Sequence, residues 1–343
     1  MCGEILTRPA PISNGKYVKE FETRFADSIS VDNAVAVGSG TDALETALRT
    51  VGVQGKKVVI SDNTMIADAL AVERAGGEIT LCDIENESFA LDPENLDNIL
   101  KKGDVGAVVL THVGGSVSKY IEALVETCEW RNIPLIEDAA QAHGARYGNY
   151  RAGSIGALAC FSFSATKVMT CAEGGMVTTN RVDYIDTLRS LRDFGSPPGN
   201  AHLHTIVGGN FKMTEFQAAL GLTELDRVRG RIRRRGELGK YYCRHLDDDK
   251  YTCVDMGDSS YYKQIVLTEM NRDSLKHQCK LQGVGMTGEV YPIGIHKQPI
   301  YASSEEYPIT EWFTASHVCP PNYPELTDEE VKYVCEVMNG VEM

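Results

Sequence analysis

Six short runs rich in Val, Ile and Leu, separated by stretches of helical length, constrain this chain more than any other feature. They are KKVVISD (56–62), EITLCDI (78–84), VGAVVLTHV (105–113), IPLIEDA (133–139), ALACFSF (157–163) and GGMVTTN (174–180). Between several of them lie helix candidates, such as DALETALRTVG (42–52) and KYIEALVETCEWRN (119–132). Apolar strands alternating with helices imply a mainly parallel sheet covered by helices. Ligands of such sheets bind at the carboxyl ends of the strands. Several polar clusters here follow strands directly.

From about residue 212 a helical stretch leads into a different pattern. YYKQIVLTE (261–269) reads as a strand, RDSLKHQCKLQG (272–283) as a helix and GVGMTGEVY (283–291) as a return strand. The expected organisation is a large α/β domain over 1–234 and a smaller α/β domain over 235–343.

Composition narrows the partners. A net charge of −14 argues against a broad nucleic-acid or anionic-membrane surface, which needs a positive footprint. No apolar run of about 18 residues predicts a membrane span, and the first residues lack the apolar core of a signal peptide. The ten cysteines are scattered without close pairs, poor spacing for zinc or for a disulfide framework. Free thiols in a reducing cytoplasm are expected, and His202 and His204 are not read as a metal pair. The six arginines of RVRGRIRRRG (227–236) could meet a nucleotide diphosphate or, as a solvated face, the acidic groups of this protein.

Three clusters could carry chemistry. In GSGTDALETAL (38–48), glycines and Thr41 precede a helix whose N-terminus favours a phosphate; an ordinary glycine turn with an Asp cap is the plainer reading. In LIEDAAQAHGARYG (135–148), Glu137 and Asp138 end an apolar strand, where a carboxylate must reach solvent or meet a partner. Asp138 could pair with a cationic ring nitrogen or cap a helix, while His143 reads as a core histidine. In SFSATKVMTCAEGG (162–175), Lys167 sits among Ser and Thr residues, a setting for an amine that forms a Schiff base. Gly174 and Gly175 would let the chain turn tightly as it leaves. A phosphate cradle, a strand-end aspartate and a hydroxyl-flanked lysine, in that order, match what pyridoxal 5′-phosphate (PLP) requires.

GSGTDAL, THVGG, IEDAAQAHGARYG, FSFSATKVMTCAEGG, GGNFKMTEFQAALG and YPIGIHKQPIY resemble, in order, motifs of the DegT/StrS family of sugar aminotransferases, enzymes of PLP fold type I. The resemblance runs from about Gly15 to Pro324. It implies that Lys167 carries the cofactor as a Schiff base and that Asp138 pairs with the ring nitrogen. It also implies that Gln141 meets the ring hydroxyl and that Gly40, Thr41 and Ser162 hold the phosphate. Asn210 resembles an asparagine that reaches the phosphate from the other subunit, which implies a homodimer with shared active sites.

The implied reaction moves an amino group from glutamate or glutamine to a keto sugar, most often nucleotide-linked, with Lys167 moving the proton. A keto-cyclitol acceptor is the alternative, and a PLP-binding regulator without turnover is a third reading. Met65 stands where relatives often stack an aromatic ring on the cofactor, and a thioether can pack there instead. Ser164 stands where nucleotide-sugar enzymes often have His or Asn, and the N-terminal segment is shorter than usual. Ser164, Tyr291 and His296 are the implied substrate contacts. A cytoplasmic enzyme with no metal is expected.

Overall fold

The structure, a computed structural model, describes residues 1–7, 11–286 and 288–342, leaving out the Cys2 side chain. Its strands are β1 Asn33–Val37, β2 Lys57–Ser61, β3 Glu78–Cys82, β4 Val105–Thr111, β5 Leu135–Asp138, β6 Arg146–Tyr147, β7 Tyr150–Arg151, β8 Leu158–Ser162 and β9 Gly175–Thr179. All but the β6–β7 hairpin form one sheet, ordered β1-β9-β8-β5-β4-β2-β3. Strand β9 runs antiparallel to both neighbours and every other adjacent pair is parallel. That one reversal has a local cause: no helix separates β8 from β9, so the chain must return beside the strand it has just left.

The six expected runs all form strands of this sheet, whereas β1, the alanine-rich NAVAV, was not anticipated. Neighbouring residues of a strand face opposite sides, and β1 divides accordingly. Ala34 and Ala36 enter a core with helices α2 (Lys16–Ile29), α5 (Pro93–Lys101), α6 (Ile121–Trp130) and α8 (Glu215–Leu225). Val35 and Val37 enter another with α3 (Gly40–Val51), α4 (Ile66–Arg74) and α7 (Val182–Arg192). Burying the sheet on both faces explains why its strands read as continuous apolar runs. The helix expected at 42–52 starts two residues earlier, because Ser39 is the cap and accepts a bond from the Asp42 N–H at 3.1 Å.

Helix α9 (Val228–His245) carries the chain past residue 235. Its Leu238 and Tyr242 pack with Leu275 of α10 (Arg272–Leu281) and with Val334 and Met338 of α12 (Asp328–Asn339). Beside them lies a small antiparallel sheet of β10 (Thr252–Cys253), β11 (Val266–Leu267) and β12 (His317–Val318). A seam of Ile84, Phe89 and Val113 against Met256, Tyr261 and Ile265 joins this region to the main sheet.

Two expected strands come out differently. Of 261–269 only Val266–Leu267 is strand, because Ser260 and Lys263 give their N–H groups to the carbonyls of Gly115 and Gly114 instead of to a ladder. Among the described residues of 283–291 no strand forms; Thr287 lies outside the description. The third strand is β12, supplied by the residues that follow α11 (Pro308–Ser316).

The free-thiol expectation also needs correction. Cys243, near the end of α9, and Cys253 of β10 form a disulfide with Cα atoms 5.2 Å apart. A short connection folds the helix end back onto β10, and a ten-residue spacing gives no sign of that in sequence. Cys82, Cys128, Cys160, Cys171, Cys279, Cys319 and Cys335 are free and buried. Among the described residues, no helix is long and apolar enough to cross a membrane, and no His, Cys, Asp and Glu cluster could hold a metal.

Candidate active site

The floor of the site is built where β1 and β8 end and β9, between them, begins. Gly175 at the start of β9 pairs with Val37 at the end of β1 and with Ser162 at the end of β8. A side chain at 175 would run into the Ser39 carbonyl, and one at 40 would stand 2.7 Å from Ser162 Cβ. Gly175 is therefore required by close approach, not by the turn expected of it; Gly174, at φ +156°, supplies the unusual backbone. This packing sets the first turn of α3 against the Ser162 hydroxyl. The N–H groups of that turn, from Gly40 and Thr41, have no partner inside the helix, and its dipole favours an anion.

The lysine loop leaves β8 at Phe163 and is tied at its neck. Phe163 N–H donates to Gly174 O and Cys171 N–H to Phe163 O, each at 2.8 Å. Phe163, Val168, Met169 and Cys171 are buried, which anchors the loop on both sides of Lys167. The half-buried Lys167 has its Nζ 5.0 Å from the centre of the Tyr262 ring. Ser164 donates its N–H to the Ser162 hydroxyl at 3.4 Å.

Adjacent acids on β5 divide their duties because strand residues alternate sides. The fully buried Glu137 accepts bonds from the N–H groups of Gly153, Ile155 and Gly156 at 2.7–2.9 Å and lies 2.9 Å from His112 Nε2. It holds a loop together. Asp138 points the other way, accepts one bond from Ala140 N–H at 2.9 Å and lies in the field of Lys167. Burial raises its proton affinity, opposed by the Ala140 bond and the lysine charge. Gln141 accepts from Gly114 N–H at 2.8 Å and donates to the Tyr291 hydroxyl, which fixes its amide.

Met65 sits just before α4 and is about half exposed. Asn210 is exposed on the segment that runs along the end of β1, where Gly38 N–H donates to Phe211 O at 2.8 Å. His296 is placed differently from a substrate contact. It is buried, with Nδ1 2.6 Å from Asp62 and Nε2 3.2 Å from Glu311, so both ring nitrogens are engaged in fastening its loop, one to the residue after β2 and the other to α11. His143 is the expected core histidine, packed against Phe161 and Phe163 and driven by burial to a pKa of about 3. The arginine-rich run turns to the protein's own groups: Arg231 to Glu224, Arg234 to Asp328 and Arg235 to the carbonyls of Tyr262 and Asn322. Sequence reasoning passed over Tyr262 and Asp68. Tyr262 carried no local signal, and Asp68 lay in plain view three residues after Met65.

A buried carboxylate in the field of a lysine, beside a helix N-terminus closed by a serine hydroxyl, fits one group well. The cradle could take a phosphate, the carboxylate a protonated ring nitrogen, and the amine, which no carboxylate pairs among the described residues, an aldehyde. Such a site on a mainly parallel sheet defines a fold-type I PLP enzyme. The DegT/DnrJ/EryC1/StrS aminotransferase family matches residues 3–339, and the chain belongs to it.

Among its relatives is the GDP-perosamine synthase of Escherichia coli O157:H7, 28% identical, the match covering 95% of this chain and 90% of that protein. Another is the dTDP-3-amino-3,6-dideoxy-alpha-D-galactopyranose transaminase of Aneurinibacillus thermoaerophilus, 30% identical over 95% of this chain and 90% of that one. The solved structure of S. venezuelae DesV in complex with a ketimine intermediate superposes with a TM-score of 0.90 at 30% identity, covering 95% of this chain and 89% of that one. The protein is a PLP-dependent aminotransferase.

Proposed function

We propose that this enzyme transfers an amino group from glutamate or glutamine to the keto carbon of a nucleotide-linked deoxysugar, with Lys167 and Asp138 in the central roles. The observation that carries this reading is the convergence of Lys167, Asp138 and the Gly40–Ser162 contact at the ends of neighbouring strands. Bound there, PLP supplies an electron sink that lets a substrate C–H bond ionise. Gly40, Thr41 and Ser162 bind its phosphate. Asp138 keeps a negative charge at the ring nitrogen, Gln141 orients the ring and Met65 covers one face. The Lys167 Nζ takes up and returns the proton that moves during transfer.

Two relatives whose names specify GDP- or dTDP-linked sugars support the nucleotide-linked acceptor over a keto-cyclitol. The exposed Phe194, Leu203, Ile206 and Val207 lie on the segment leading to Asn210. An apolar strip of this kind calls for cover, and a second copy whose Asn210 reaches the phosphate of this site would provide it. Ser164 and Tyr291 remain the proposed sugar contacts; His296 is left out because its nitrogens are spent within the fold. The large domain at 1–234, the small one at 235–343 and a cytoplasmic location belong to the same proposal.

The test is a panel of keto sugars, with and without a nucleotide, mixed with enzyme already carrying the amino group. Amination of nucleotide-linked ketones, inhibited competitively by the matching nucleoside diphosphate, is expected. Amination of an inosose, indifferent to added nucleotide, would overturn the acceptor assignment.

A further inference from the structure

Asp68, in the first turn of α4, is fully buried beside the site. Its Oδ2 accepts bonds from the hydroxyls of Thr64 at 2.5 Å and Thr111 at 2.9 Å, while Oδ1 has no donor among the described residues. Thr111, on β4, is registered opposite Asp138 on β5. The Asp68 carboxyl thereby comes within hydrogen-bonding reach of the Asp138 carboxyl. Two carboxylates buried side by side repel, so the pair keeps a proton that one member holds for both.

The surroundings decide which member holds it. Asp138 has the Ala140 N–H and the charge of Lys167 to stabilise its ionised form. Asp68 has two neutral hydroxyls and, among the described residues, no cation paired with it; its other titratable neighbours are Cys160 of β8 and Tyr291, both kept neutral by burial. Burial moves the Asp68 carboxyl well above the usual carboxylate range, with Asp138 pushing it further. An aspartic acid held neutral in a dry site can serve as a hydrogen-bond donor.

We propose that Asp68 is a positioning residue, a neutral carboxylic acid that donates its proton to Asp138 and so holds that carboxylate, ionised, toward the ring nitrogen of PLP. This rests on the reading of Asp138 given above. The donor makes Asp138 a weaker base, so Asp138 stays ionised to lower pH than it would alone.

The experiment measures PLP binding from pH 5 to 9 for the wild type, D68N, D68A and D138N, with thermal unfolding of each apoprotein over the same range. D68N keeps a donor and cannot ionise; it should bind PLP with the wild-type affinity and the wild-type acid midpoint. D68A loses the donor; it should bind about tenfold more weakly at neutral pH, the effect of one charge-assisted hydrogen bond. Its acid midpoint should move to higher pH, which a merely structural defect would not cause. The apoprotein offers a readout free of cofactor. A carboxyl with raised folded pKa lends stability at low pH that is lost as pH rises, so that decline should be shallower in D68N than in the wild type.

A D68A midpoint equal to the wild type would overturn the proposal. So would a D68N midpoint displaced to lower pH, which would mean that Asp68 is ionised in the native enzyme. If D68A does not fold, the D68N midpoint and its apoprotein profile decide. A D138N variant that binds PLP like the wild type would instead overturn the role of Asp138 itself.

Discussion

Gly40 and Ser162 approach so closely that a methyl group on Gly40 would stand 2.7 Å from Ser162 Cβ and 3.1 Å from its hydroxyl oxygen. Neither contact can be relieved at a flexible tip, because Ser162 is a strand residue flanked by ladder partners. Gly40→Ala should therefore displace either the first turn of α3 or the serine. Equilibrium binding of PLP should weaken about tenfold or more, with far-UV circular dichroism unchanged. Adding Ser162→Gly should restore part of the loss, giving non-additive effects in a double-mutant cycle.

The Asp62–His296 pair makes a separate prediction. Asp62 accepts from the His296 backbone N–H at 2.8 Å and lies 2.6 Å from its Nδ1, while the Asp62 carbonyl accepts from Ile295 N–H. Asp62→Ala leaves buried donors without acceptors, at a cost of about 2–3 kcal/mol in urea unfolding. His296→Leu should cost comparably. Against a direct sugar contact, a cavity-matched His296→Gln should change the sugar KM less than it changes stability. A selective rise in KM with stability intact would restore His296 to the substrate site.

Acid stability should be governed in part by two histidines kept neutral. His143 is held near pKa 3 and His317 near 4, both by burial. Their folded values lie below the ordinary 6.5, so the unfolded chain takes up protons that the native state refuses. Stability is complete above about pH 6.5 and falls as pH drops toward the folded values, by at most roughly 1.4 kcal/mol per pH unit for each group. His143→Leu should flatten that slope in apoprotein unfolding between pH 6.5 and 4. An unaltered slope would mean that His143 is protonated in the native state.

The sheet and much of the site were legible because both follow local rules. Apolar runs marked the strands of a doubly covered sheet, and glycines and hydroxyls marked the strand ends where Gly40, Ser162 and Gly175 meet. What was not legible depended on contacts distant in sequence. Nothing in GSG reveals that Gly175, over 130 residues later, abuts Ser39. His296 looks like a free ligand until Asp62 and Glu311 are folded against it. YYKQIVLTE has a strand's composition, yet its Lys263 and the preceding Ser260 bond to Gly114 and Gly115. Asp68 shows the opposite failure: the residue was visible on a helix, but its significance depends on Thr111 and Asp138 arriving from two strands.

The measurement that bears most directly on the account is the visible absorption spectrum of the PLP-loaded protein, before and after glutamate or glutamine, alongside Lys167→Ala. The predicted result is a band that requires Lys167 and is bleached by an amino donor in the wild type. The same band in Lys167→Ala, or donor bleaching that proceeds at wild-type rate without the lysine, would contradict it.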